Sequence, residues 1–112
     1  MSPNRRRGEV AATLDGRERR LCLTLGALAE LEAAFEAEDL GALVERFSSG
    51  RLSARDLIRI IGAGLRGAGE TVSDEEVAVM RMQDGAAGYA RIASDLLAMT
   101  FGGAGEGAQP NP

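Results

Sequence analysis

A chain of 112 residues forms one domain with a modest core, and a net charge of −4 gives sequence-independent nucleic-acid binding no global electrostatic support. No His and a single cysteine exclude Cys–His nucleophilic chemistry, an internal disulfide and the usual zinc sites. No apolar run approaches the roughly 20 residues that span a membrane, and no apolar h-region follows Arg5-Arg6-Arg7 as a signal peptide requires. A cytoplasmic protein is therefore expected, with its lone Cys22 a small buried thiol in a strand. Every basic residue is Arg, and aromatics are limited to Phe35, Phe47, Tyr89 and Phe101, so the core must be aliphatic.

In chain order, residues 1–7 form a flexible basic arm, and residues 8–101 form the domain. Glu9 to Leu14 alternates as a strand does, and Asp15-Gly16 then supplies a type I′ turn, which needs positive φ at both central residues. A second strand-like run, Arg17 to Leu25, passes into a helix with Thr24 as its N-cap and Leu28, Leu31 and Phe35 on one face. Asp39 caps a short second helix carrying Leu40, Leu43, Val44 and Phe47, and Ser48-Ser49-Gly50 ends it. Ser53 with Asp56 opens a third helix whose apolar residues, Leu57, Ile58, Ile60, Ile61 and Leu65, cover more than one face. A helix so widely apolar should be central, and Gly67-Ala68-Gly69 terminates it. Ser73 and Glu76 form a capping box for a fourth helix bearing Val77, Met80 and Met82. A last helix runs from about Ala86 to Phe101 with Tyr89, Ile92, Leu96 and Met99 on one face. Residues 102–112 are Gly-rich and read as a disordered tail. The fold class is α+β, mainly α: an N-terminal β-hairpin followed by a bundle of four to five short helices. Two strands bury too little to stand alone, so the hairpin must lie on the helices or pair with another subunit.

Little chemistry is legible. Gly62-Ala63-Gly64-Leu65-Arg66-Gly67 matches the dinucleotide-binding spacing, but it ends a helix, where carbonyls and negative dipole repel phosphate. Close packing at Gly62 and Gly64 explains it better. Glu32 and Glu36 read as a solvated acidic face, and Asp74-Glu75-Glu76 as helix capping and not a calcium loop. Arg55 and Arg59, with Arg66 further along, form a basic stripe on the third helix. It can meet the acidic first helix, or serve as the reading face of a small DNA-binding regulator. Met80 and Met82 offer an adaptable apolar surface of the kind that holds partner segments. No catalytic, cofactor or metal residue can be named, so an enzyme is not expected.

From Asn4 to about Glu76 the chain resembles the gene transfer agent family of phage-tail proteins, grouped with phage tail assembly chaperones. The resemblance rests on Asn4-Arg5-Arg6-Arg7-Gly8-Glu9-Val10, Leu14-Asp15-Gly16, Leu28-Ala29-Glu30-Leu31-Glu32, Gly50-Arg51-Leu52-Ser53 and Gly64-Leu65-Arg66-Gly67-Ala68-Gly69. It implies a protein of tail morphogenesis in a phage-like particle. The leading expectation is a tail assembly chaperone that binds the tape-measure protein or major tail protein. The alternative is a structural tail component whose hairpin completes a sheet with neighbouring subunits. Contacts with the partner are expected from Leu57, Ile61, Leu65, Val77, Met80 and Met82, with charged contacts from Arg55, Arg59, Glu32 and Glu36. A homo-oligomer is possible on this reading, and neither a small-molecule substrate, nucleic acid nor membrane is expected.

Overall fold

The computed structural model describes residues 8–35, 41, 42, 45, 53–82 and 84–105. Strands β1 (Val10–Leu14) and β2 (Arg17–Leu21) pair antiparallel, with Leu14 opposite Arg17 and Val10 opposite Leu21. Asp15 and Gly16 make the turn at φ values of 56° and 74°, the left-handed pair that matches the strand twist. Helices α1 (Leu25–Phe35), α2 (Ala54–Gly67), α3 (Asp74–Ala78) and α4 (Gly85–Gly105) follow. The architecture is the expected one, an N-terminal hairpin ahead of helices. Residues 41, 42 and 45 are also helical. The rest of the expected second helix, the 1–7 arm and the end of the tail lie outside the described residues.

Local chemistry accounts for the helix starts. The amide of Ala27 donates to Thr24 Oγ1 at 3.1 Å, which caps α1. Ser53 and Asp56 satisfy each other's amides at 2.9 and 3.2 Å, and Ser73 and Glu76 do the same at 2.8 and 3.1 Å. Both capping boxes are therefore complete. The buried carboxyl of Asp56 belongs to this cap.

The core is aliphatic and contiguous. Val10, Ala12 and Leu14 on alternate β1 positions join Leu21, Leu28 and Leu31, with Ile60, Ile61 and Leu65 of α2 and Ile92, Leu96 and Leu97 of α4. Helix α2 is central, as its broad apolar surface requires: it packs against α1, α3, α4 and β2. The glycines let it approach. A Cβ on Gly64 would lie 2.9 Å from Leu96 Cδ1 and 3.2 Å from Leu21 Cβ, and one on Gly67 would run into the backbone carbonyl of Cys22. The hairpin thus lies on the helices through its buried face.

Three expectations need correction. Strand β2 stops at Leu21, and Cys22 is half-buried beyond it because its amide turns to the Gly64 carbonyl at 2.9 Å. Helix α3 has only five residues, so Met80 and Met82 lie beyond it. The chain leaves the helix because Arg81 binds the hairpin turn: its carbonyl accepts from the Asp15 amide, and its amide donates to Asp15 Oδ1, both at 2.9 Å. Helix α4 continues to Gly105, past the expected end at Phe101. Once a helix is nucleated, each further residue fixes one φ/ψ pair and gains one hydrogen bond.

Candidate functional site

The N-terminal end of α2, the short α3, the segment that follows it and the start of α4 enclose an open groove of about 480 Å³. Its walls are Leu57 and Ile58 from α2, Val77 from α3, Met80 and Met82 from the connecting segment, and Tyr89 from α4. Ala54, Ala78 and Ala86 keep it wide, and Arg81 supplies its charged rim. The Met80 and Met82 thioethers sit here because Arg81, between them, is tied to the hairpin turn.

Tyr89 gives the groove its fixed polar point. Its hydroxyl donates to the Met80 carbonyl at 2.7 Å, so the ring braces the connecting segment against α4. Burial raises the phenol above its ordinary pKa of 10.0, and the negative charge of Asp15 adds to the effect. Among the described residues no cluster of three or more His, Cys, Asp or Glu side chains could hold a metal ion. What the groove can do physically is bury an apolar segment of another chain against flexible side chains.

Of the residues expected to meet a partner, Leu57, Val77, Met80 and Met82 line the groove. Ile61 and Leu65 do not; both are wholly buried. They follow Leu57 along one stripe of α2, but the C-terminal half of that helix is covered by β2 and α4, where Gly64 meets Leu21 and Leu96. Val77 is also almost wholly buried, forming the groove's floor. Ile58, Ala54 and Tyr89 were missed. The spacing of Ala54, Leu57 and Ile58, three and four apart, marks one helical face and was the available signal.

The basic stripe is largely spent inside the chain. Arg59 donates to the Ala34 carbonyl at 2.9 Å near the end of α1 and stacks over the Phe35 ring, 5.7 Å from its centroid. Arg66 reaches Glu30 at 2.6 Å, Asp74 at 3.1 Å and the Val72 carbonyl at 2.9 Å. The hydrogen bond to Glu30 is the main reason its guanidinium pKa rises above the ordinary value. Only Arg55 of the three is exposed. Glu32 is half-buried on α1, where Glu30 makes the ion pair instead, and Glu36 lies outside the described residues.

Among the described residues no helix is long and apolar enough to cross a membrane. Searches of curated proteins and of solved structures return no match. Comparison with known protein families matches residues 7–103 to the family described as phage tail tube protein, GTA-gp10. That span takes in the hairpin, the groove and nearly all of α4, and the chain belongs to this family of gene transfer agent and phage tail proteins.

Proposed function

We propose that this chain is a structural component of the tail tube in a phage-like particle, working through contacts with other tail polypeptides and catalysing no reaction. The family match across residues 7–103 carries this reading, because the family is described as a tail tube protein. The fold is compatible with it: a small acidic module whose open features are an apolar groove and a strand edge. Before assembly the subunit is cytoplasmic, and afterwards it resides in the particle. Quantitative mass spectrometry of purified particles tests the proposal. A structural component is retained at many copies per particle, whereas its absence from complete particles would refute the reading.

One observation favours a second reading. A Met- and Leu-lined groove suits an amphipathic helix, as a tail assembly chaperone would need in order to hold the tape-measure protein before the tube forms. Such a chaperone would co-purify with a tape-measure fragment from co-expressing cells and be missing from finished particles. Met80→Glu, which puts a charge in the groove, would then abolish co-purification.

A further inference from the structure

Strand β1 reads Val-Ala-Ala-Thr-Leu, with neither the charge nor the proline that blunts most open strand edges. Among the described residues only β2 pairs with it, so its other side carries no strand. The two-residue turn makes Leu14 and Arg17 the closing hydrogen-bonded pair. Alternation then directs the amides and carbonyls of Val10, Ala12 and Leu14 toward β2, and those of Ala11 and Thr13 away from it. That outer side borders a second cleft, of about 240 Å³, lined by Ala11, Ala12 and Thr13 and, across from them, by Asp84, Arg91 and Asp95.

The arginines of the hairpin and of this cleft are already paired. Arg17 and Arg19 reach Glu70 at 3.8 and 2.8 Å, Arg20 reaches Glu9 at 4.0 Å, and Arg91 reaches Asp84 at 2.9 Å. Asp95 is exposed, and no ion pair is found for it among the described residues. The cleft therefore holds one carboxylate in excess. The chain enters β1 beside it. Gly8 stands in a turn with a φ of 75°, and a Cβ there would lie 3.9 Å from the Met99 carbonyl oxygen. Gly8 lies at Met99 and Asp15 at Arg81, so α4 runs antiparallel to β1. Asp95 is one turn before Met99, about 6 Å along the helix, and Val10 is about 7 Å beyond Gly8 along the strand. Asp95 and Val10 are thus level.

We propose that residues 2–6 of the same chain fold back along the open edge of β1 as an outermost third strand, with Arg7-Gly8 as the connecting turn and Arg5 on Asp95. The positive φ of Gly8 suits the second central position of a two-residue turn. Parity fixes the register. Such a turn closes on a hydrogen-bonded pair, here Arg6 with Glu9, and Glu9 has the outward parity of Ala11 and Thr13. Asn4 then bonds Ala11 and Ser2 bonds Thr13, while Pro3, which has no N–H, falls at an unbonded position opposite Ala12. Arg5 falls opposite the buried Val10, on the face toward the helices and level with Asp95. The segment carries the proline and the charge that an outermost strand needs and β1 lacks. This contact belongs to the free chain and goes beyond the tail reading, which stands or falls separately.

Amide exchange and nuclear Overhauser contacts of the full chain, read by NMR over a concentration series, test this. Expected are Hα–Hα contacts of Arg5 with Val10 and of Pro3 with Ala12, and slow exchange at Ala11 and Thr13 that does not depend on concentration. Asn4→Pro takes away an amide that pairs with Ala11, and Gly8→Ala strains the turn, where a side chain has room but the wrong φ. Each should speed exchange at Ala11 and Thr13 by roughly tenfold and leave Ala12, bonded to β2, unchanged. Arg5→Asp should do the same, and Asp95→Arg combined with it should restore protection. Fast exchange at Ala11 and Thr13 in the unaltered chain overturns the proposal. So does protection that grows with concentration, which marks a second copy on the edge. Protection indifferent to both Asn4→Pro and Arg5→Asp also overturns it, since the cleft's own side chains would then be the cover.

Discussion

Gly67 and Gly26 are both helical glycines, yet the same substitution should act on them in opposite directions. A Cβ at Gly67 meets the Cys22 carbonyl, which is backbone and cannot swing aside, whereas at Gly26 the nearest atom is Thr24 Oγ1 at 3.9 Å. Gly67→Ala should therefore destabilise the fold by about 2 kcal/mol or more, as overpacking does. Gly26→Ala should stabilise it by about 0.5 kcal/mol through the lost freedom of the unfolded chain. Urea melts of the two variants check both signs. Tyr89 offers a pH test. Its phenol is held protonated in the fold, so its contribution is complete below the ordinary pKa of 10.0 and is lost as pH rises through the higher folded value. Tyr89→Phe should cost about 1 kcal/mol at neutral pH, because the Met80 carbonyl loses its donor. It should also flatten the alkaline fall in thermal stability between wild type and variant. An alkaline loss unchanged in Tyr89→Phe would assign that fall to other groups.

The elements show why some of the structure was legible and some was not. The Asp-Gly turn, the Thr24 cap and the two capping boxes are rules written within four residues, and each is found as expected. The early end of α3 and the position of Met80 and Met82 depend on Asp15, which is 66 residues away from its partner Arg81. Periodicity cannot report such a bond. The groove was half legible for the same reason: Leu57 and Ile61 share a stripe in sequence, but only packing by β2 and α4 determines that Leu57 borders the groove and Ile61 the core. Asp15→Gly keeps the turn's positive φ and removes the carboxylate that holds Arg81. A loss of about 1 kcal/mol is expected, with faster amide exchange at Arg81 and Met82 than at α2. Unchanged exchange there would mean that the backbone bond from Asp15 alone holds the segment.

At the scale of the whole molecule, the arginines of α2 mostly bind this chain to itself, and among the described residues a thioether-lined groove and an uncharged strand edge are left open. Both suit contact with polypeptides. The chain belongs to a family of gene transfer agent and phage tail proteins, and on the reading proposed above those contacts are with other tail polypeptides. The most direct measurement is the copy number of this chain in purified, tail-complete particles, read by quantitative mass spectrometry against the major capsid protein. A tail-tube component should be present in many copies per particle and remain after stringent washing. Complete particles from which the chain is missing would contradict the proposed role as a structural part of the tail.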